Sequence, residues 1–324
     1  MDNLTHSLVG LTAARAGLEK LSPGATALCL LAANAPDADI VVLAFGDRWS
    51  FLQHHRGITH AIVGVIALAF VLPLIFYVVD LLWSRFRKRP PAVNLKGLLL
   101  ASFIVTATHP LLDWTNSYGI RFLLPWNERW FYGDLVFIVD PLMWLILGGA
   151  LILLYVKKAG QRWGSRIALV AFALVIVYWS LLALAHSRAI ARGGEEARMM
   201  ASANGETVAR LAAMPQLANP FRWDCVFETD KATYRFEVGL LDNVASDRII
   251  RYEKESPALK ATVSQQRPAR IFLGFARFPV MQLEDPDCTT RTLVQLADLR
   301  YTEPGHSRGT FSLEVPIDCP VEIR

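Results

Sequence analysis

Long apolar runs, cut by polar residues mainly near their ends, constrain this chain more than any other feature. A bilayer core needs about 20 apolar residues wound as a helix. Four segments reach or approach that length: 61–83, 97–112 (short), 136–156 and 167–185. A fifth, 24–45, is interrupted by Asn34, Pro36, Asp37 and Asp39. The opening stretch 4–18 is apolar but covers only part of a crossing, and reads as a short or re-entrant helix. Composition agrees, with 53% hydrophobic and 19% charged residues and a mean hydropathy of +0.32, outside the habit of soluble domains. The expected fold class is an α-helical integral membrane domain of five or six spans, 1–187, followed by a small extracytoplasmic α+β or β-rich domain, 188–324.

Basic residues orient the spans. Arg85, Arg87, Lys88, Arg89 and Lys96 fill one connection, and Lys157, Lys158, Arg162 and Arg166 fill another. Both are expected in the cytoplasm, with Arg15 and Lys20 on the same side. The loop 114–135 and everything past 185 then lie outside. The chain is expected in the bacterial inner (cytoplasmic) membrane. A net charge of +4, with basic residues in short clusters beside apolar segments, gives no case for nucleic-acid binding. Met1 is followed by Asp2 and the first basic residue is Arg15, so no signal-peptide pattern is evident.

The polar third predicts an Ala-rich helical lead over 187–214 with a break at Gly193 and Gly194, then strands. In 233–240, Tyr234, Phe236, Val238 and Leu240 alternate onto one face, and 270–280 is rich in β-formers. Four cysteines without a C-x-x-C pair argue against a thiolate metal site. Cys225, Cys288 and Cys319 leave room for one disulfide and one spare thiol.

Orientation gathers scattered polar residues at the outer ends of the spans. His109 and Asp113, spaced i and i+4, share a helix side about 6 Å apart. Asp37 and Asp39 come late in the segment from 24, and Pro36 disturbs the helix there. His54, His55 and His60 occupy the outer connection, Asp134 and Asp140 lie at the mouth of the next span, and Asp2 and His6 join if the N-terminus starts outside. Imidazole and carboxylate donors suit zinc or another divalent metal, which serves hydrolysis. Ionisable groups inside a membrane cost about 2.5–3.5 kcal/mol each on insertion scales, a cost that metal binding offsets. The expected ligands are Asp39, His55, His60, His109, Asp113 and Asp140, with Asp37 and His6 as catalytic groups, Asp37 serving as base. Arg56, Arg121 and Asn116 are expected at an anionic substrate.

Each motif alone has a plainer meaning. His109 with Asp113 reads equally as a structural pair, Asp37 and Asp39 as a turn after Pro36, and His55 and His60 as loop histidines. Trp114, Tyr118, Trp126, Trp130 and Tyr132 fit an interfacial belt. Asp80, His186 and His306 carry no functional expectation.

The sequence resembles the YdjM-like family at Asp2-Asn3-Leu4-Thr5-His6, Asn34-Ala35-Pro36-Asp37-Ala38-Asp39, His54-His55-Arg56-Gly57-Ile58-Thr59-His60 and His109-Pro110-Leu111-Leu112-Asp113. Asn116-Ser117-Tyr118-Gly119, Pro125-Trp126 and Asp134 through Asp140-Pro141 continue the match in order and spacing. The resemblance covers about 1–144. It implies an inner-membrane, metal-dependent hydrolase, and points to His6, Asp37, Asp39, His55, His60, His109, Asp113 and Asp140. The function expected is hydrolysis of a phosphoester in a lipid or lipid-linked substrate at the membrane, with no protein partner assigned. Two other classes stand beside it. One is a proton- or metal-coupled transporter, against which no internal repeat is visible and the polar groups sit at one end. The other is a regulatory, partner-binding protein, as the LexA-binding label on the family suggests.

Overall fold

The computed structural model describes residues 1–157, 161–241, 249–285, 290–301 and 311–319. Lys158, Cys288 and His306 lie outside the described residues, as does the side chain of Arg162. The chain divides into two compact units, Met1–Ala44 with His54–Ala183, and Phe45–Gln53 with Leu184–Arg324.

In the first unit, α1 (Asn3–Ala16) opens on Asp2, whose carboxylate accepts the Thr5 amide at 3.0 Å. Its 14 residues span about 21 Å, short of a crossing. Next comes α2 (Ala25–Asn34), which tightens into a 3-10 segment, Ala35–Ala44. The short α3 (Arg48–His54), α4 (Ile62–Phe86), α5 (Leu95–Trp114), α6 (Pro141–Val156) and the 43-residue α7 (Gln161–Ala203) follow. Among the described residues four helical stretches are long and apolar enough to cross a membrane: Ala25–Ala44, Ile62–Phe86, Leu95–Trp114 and Trp163–Ala203. The 16-residue α6 is shorter, because its helix begins only at Pro141, five residues later than the apolar run suggests.

Small residues set the packing. Ala13, Ala14, Cys29, Ala32, Ala33, Ala101 and Val105 form a buried seam where α1, α2 and α5 meet. A Cβ on Gly10 would stand 2.6 Å from the Cys29 carbonyl oxygen, so the two helices approach backbone to backbone, as membrane helices do. Ile66, Phe70, Val78 and Leu82 on α4 stay exposed, a surface suited to hydrocarbon rather than water.

The second unit carries two antiparallel sheets. One has the order β1 (Val208–Gln216), β2 (Asn219–Thr229), β3 (Ala232–Gly239), β4 (Ile250–Glu253), and the other β5 (Pro279–Leu283), β6 (Arg291–Asp298), β7 (Ser312–Asp318). Tyr234, Phe236 and Val238 are buried together against Ala189, Ala197 and Ala201 of α7. The opposite face of the first sheet, through Ala212, Met214 and Val226, meets Val280 and Ala297 of the second. The helices α8 (Pro257–Ser264) and α9 (Arg267–Phe275) cover the second sheet through Leu259, Val263 and Phe272.

Four expectations change here. Gly193 and Gly194 do not break α7: a Cβ at 193 would meet the Cys225 sulfur at 2.9 Å, so glycine lets the helix lie close on β2. The helical lead stops at Ala203, and β1 takes the rest. Residues 270–280 are not one strand, because Ala269, Phe272 and Phe275 recur at helical spacing behind Pro268, and the strand starts at Pro279. The segment 45–53 belongs to the β-rich unit, where Trp49 packs on its core and Arg267 reaches Asp47 at 3.1 Å and the Ser50 hydroxyl at 2.8 Å. Cys319 is disulfide-bonded, and Cys29 and Cys225 are free.

Candidate metal centre

Local winding brings the carboxylates round. Two residues apart on an α-helix, side chains point about 160° away from each other; on a 3-10 helix the separation falls to about 120°. The 3-10 segment that begins beside Pro36 therefore turns Asp37 and Asp39 toward one side. The loop before α4 supplies His55, Arg56 and His60, with Arg56 held at φ 50°, a left-handed conformation that a non-glycine residue adopts only when its surroundings demand it. The C-terminal turns of α5 supply His109 and Asp113.

Asp37, His60, His109 and Asp113 each place one donor atom within 4.8 Å of the others. The edges between those atoms are regular. His60 Nε2 lies 3.1 Å from His109 Nε2, 3.3 Å from Asp37 Oδ1 and 3.4 Å from Asp113 Oδ2. His109 Nε2 lies 3.5 Å from Asp37 Oδ1 and 3.3 Å from Asp113 Oδ2. Nitrogen and oxygen ligands at 2.0–2.1 Å from a tetrahedral ion stand about 3.3–3.4 Å apart, so five of the six edges match that polyhedron. Asp113 Oδ2 is buried and accepts no hydrogen bond, which an ion would remedy. The residues present therefore fit a divalent cation.

The far sides of the ligands are anchored. His109 Nδ1 meets the Ala33 carbonyl oxygen at 2.6 Å, and His60 Nδ1 has the Thr59 hydroxyl at 3.0 Å and Asp39 Oδ2 at 3.4 Å. Such partners fix the tautomer and leave Nε2 free to ligate. Asp113 Oδ1 is held by Arg56 Nη2 at 2.8 Å and by the Met1 ammonium group. A second group, Asp37, Asp39 and His55, shares Asp37 with the first. His55 Nδ1 lies 3.0 Å from Asp39 Oδ1, and Asp39 Oδ2 accepts the Arg56 amide at 3.0 Å.

Other expected site residues sit differently. Asp140 joins neither group: its Oδ1 caps α6 at the amides of Leu142 (3.0 Å) and Met143 (3.1 Å), and its Oδ2 accepts from the Tyr178 hydroxyl at 2.9 Å. Asp37 lies within both groups that could hold an ion. Arg56 is buried, with the Asn116 Oδ1 and Gly119 carbonyl oxygen at 3.0 and 3.1 Å and the Tyr118 ring beneath it. It clamps the chain instead of facing a substrate. Asn116 also accepts the Tyr118 amide at 2.9 Å, as a turn residue does. Arg121 is half-buried, donates to the His55 carbonyl oxygen at 3.4 Å and lies over Trp130; burial draws its pKa down while Glu128 and Tyr118 oppose the shift. His6 stacks on His109 at 3.7 Å between centroids and stands 3.6 Å from Asp113 Oδ1, both its ring nitrogens buried without a hydrogen bond. Thr59 was readable beside His60 in the sequence; the Ala33 carbonyl, a backbone group, leaves no signal there.

A family model described as YdjM inner membrane protein matches residues 1–189. The chain belongs to the YdjM family. The inner membrane protein YbcI of Escherichia coli (strain K12) is 29% identical to the chain over 189 residues, covering 50% of this chain and 97% of YbcI. No solved structure matches the chain. The YdjM match takes in every residue of both His/Asp groups and ends before the β-rich sheets, so the centre belongs to the part shared with the family.

Beside the centre runs a cavity of about 180 Å3 with apolar walls. Val9 of α1, Leu112 of α5, Met143 and Leu147 of α6, and Val175 and Trp179 of α7 line it. Leu112 precedes Asp113, so the cavity borders the helix turn that carries the candidate centre.

Proposed function

We propose that this protein is a membrane-bound, metal-dependent hydrolase that cleaves a phosphoester in a lipid or lipid-linked substrate. The near-tetrahedral set of His60, His109, Asp37 and Asp113 carries the reading. A divalent ion there, zinc by its donor set, would polarise a phosphoryl oxygen and lower the pKa of water by taking a fifth ligand on the side of Asp37. Asp37, half-buried where the other three are buried, is the member that water meets first. Arg121 steadies the anion. The apolar cavity beside Asp113 suits the substrate's hydrocarbon chain, since in a bilayer such a space fills with hydrocarbon. The decisive measurement is the metal content of purified wild type beside His60→Ala and His109→Ala. At least one ion per chain that survives brief exposure to a chelator in wild type, and a loss of at least tenfold of that ion in each variant, is expected. Near-zero metal in all three would remove the hydrolase reading. Phosphate release from a lipid phosphate in mixed micelles should exceed that from a soluble aryl phosphate by about 100-fold, since remote binding energy raises the rate; equal rates would remove the lipid.

We also propose that the centre and the β-rich unit lie outside the cytoplasm. The Lys/Arg bias supports this, as does the bonded Cys319, because disulfides persist in oxidising compartments. The segment 45–53, which follows the apolar stretch Ala25–Ala44, contributes Trp49 to the β-rich core, and so shares its side of the membrane. An alkaline phosphatase fused at the C-terminus should be active; an inactive fusion would reverse the topology.

A further inference from the structure

The four-atom set leaves Asp39 and His55 unaccounted for as donors, although each stands beside it. Asp37, Asp39 and His55 offer one donor atom apiece within 4.8 Å of one another. From this geometry we infer a second, exchangeable divalent-cation site at Asp37, Asp39 and His55, joined to the first through Asp37, so that the centre is dinuclear. The inference rests on the hydrolase reading and sharpens what its site contains.

Three observations carry it. First, Asp37 belongs to both groups, and a carboxylate with two oxygens is the ordinary bridge in two-metal sites, whose ions lie about 3.5–4 Å apart. Second, Asp39 is prepared for the task. Its Oδ2 is occupied by the Arg56 amide at 3.0 Å and the Thr59 hydroxyl at 3.4 Å, which fixes the carboxylate with Oδ1 toward His55 Nδ1 at 3.0 Å. That separation suits two ligands of one ion as well as it suits a hydrogen bond. The left-handed φ of Arg56 is the backbone cost of delivering that amide between the two histidines.

Third, the two groups differ in access. Among the four inner ligands His60, His109 and Asp113 are at most 1% exposed at the side chain, whereas His55 and Asp37 are 19% and 14% exposed. His60, His109 and Asp113 seal the inner position, so an ion there meets water only on the side of Asp37. In the second group Asp39 is buried while His55 and Asp37 reach the accessible edge, and three protein ligands leave positions open to water and to a phosphoester oxygen, as catalytic sites require. The donor set, harder than the inner one, takes zinc or manganese.

Metal stoichiometry of the full chain in detergent, after loading with zinc and removal of the excess, tests this. Wild type should hold two ions per chain, one of them lost on brief exposure to a chelator. His55→Ala and Asp39→Asn should hold one, which resists that treatment, and His109→Ala should lose the resistant ion. Loading with cobalt provides a second readout: the intense visible bands of a tetrahedral ion should saturate with the first equivalent, and the second should add weaker bands that His55→Ala lacks. One ion in wild type would overturn the second site and leave the hydrolase reading intact, whatever the variants do. If His55→Ala then kept that ion but lost turnover, His55 would be a proton-transfer residue paired with Asp39 instead. No ion in wild type would remove both readings.

Discussion

Asp113→Ala should empty the inner site and, separately, destabilise the membrane domain by about 3–5 kcal/mol, the usual result of removing one partner from a buried ion pair. Asp113 Oδ1 lies 2.8 Å from Arg56 Nη2, and both side chains are buried. The guanidinium also donates to the carbonyl oxygens of Asp113 and Gly119 and to Asn116, so it cannot swing to solvent when its counter-ion goes. For a domain of this size the loss corresponds to a fall of roughly 6–20 °C in Tm. Asp113→Ala with Arg56→Met should regain part of that stability, because one of the two charges that lose Asp113 is gone while the Met1 ammonium group remains, yet bind no metal at the inner site. Unfolding midpoints and metal content of the two single variants and the double variant check it. A double variant no more stable than Asp113→Ala would mean that the pair is not what Asp113 contributes to the fold. His109→Ala, which leaves Arg56 paired, should lose metal with a much smaller change in Tm.

This pair also shows where the sequence stops being informative. His109 and Asp113 are visible as an i, i+4 couple because helical periodicity fixes their relation, and charge bias places their end of α5 with Asp37, Asp39 and His60. The four apolar stretches are equally legible, since length and hydropathy are local properties. What each carboxylate does is not. Asp140 looks like Asp113 in sequence, an acidic residue at a span end, but Pro141 follows it and starts a helix whose free amides claim its carboxylate. Arg56 looks like an anion-binding cation between two histidines, but its guanidinium turns inward to Asp113, a partner 57 residues away. Long-range pairing of that kind has no local signature. In the β-rich unit the alternation of Tyr234, Phe236 and Val238 is legible, whereas 270–280 misleads, since aromatic and β-branched residues also suit a short buried helix when Pro268 starts it.

Gly64→Ala should lower turnover by about 100-fold without touching a ligand. A Cβ at this position of α4 would stand 1.9 Å from the Ile58 carbonyl oxygen and 2.8 Å from the Thr59 Cα, where ordinary contact begins near 3.4 Å. Both obstacles are backbone, so no side chain can rotate away. The turn 58–60 must shift instead, and it carries His60 and the Thr59 hydroxyl that orients it. A displacement on the order of 1 Å in a reacting constellation costs about 100-fold in rate, and metal affinity should weaken with it, by the 10- to 100-fold typical when a ligand loses its supporting partner. Gly149→Ala is the control. Its Cβ meets nothing within 4 Å, and in the interior of α6 the change should leave metal and rate unaltered while stabilising the helix by about 0.5–1 kcal/mol. If Gly64→Ala matched Gly149→Ala in metal content and turnover, the 58–60 turn would not be what holds His60 in place. The centre would then owe its geometry to α5 and the 3-10 segment alone.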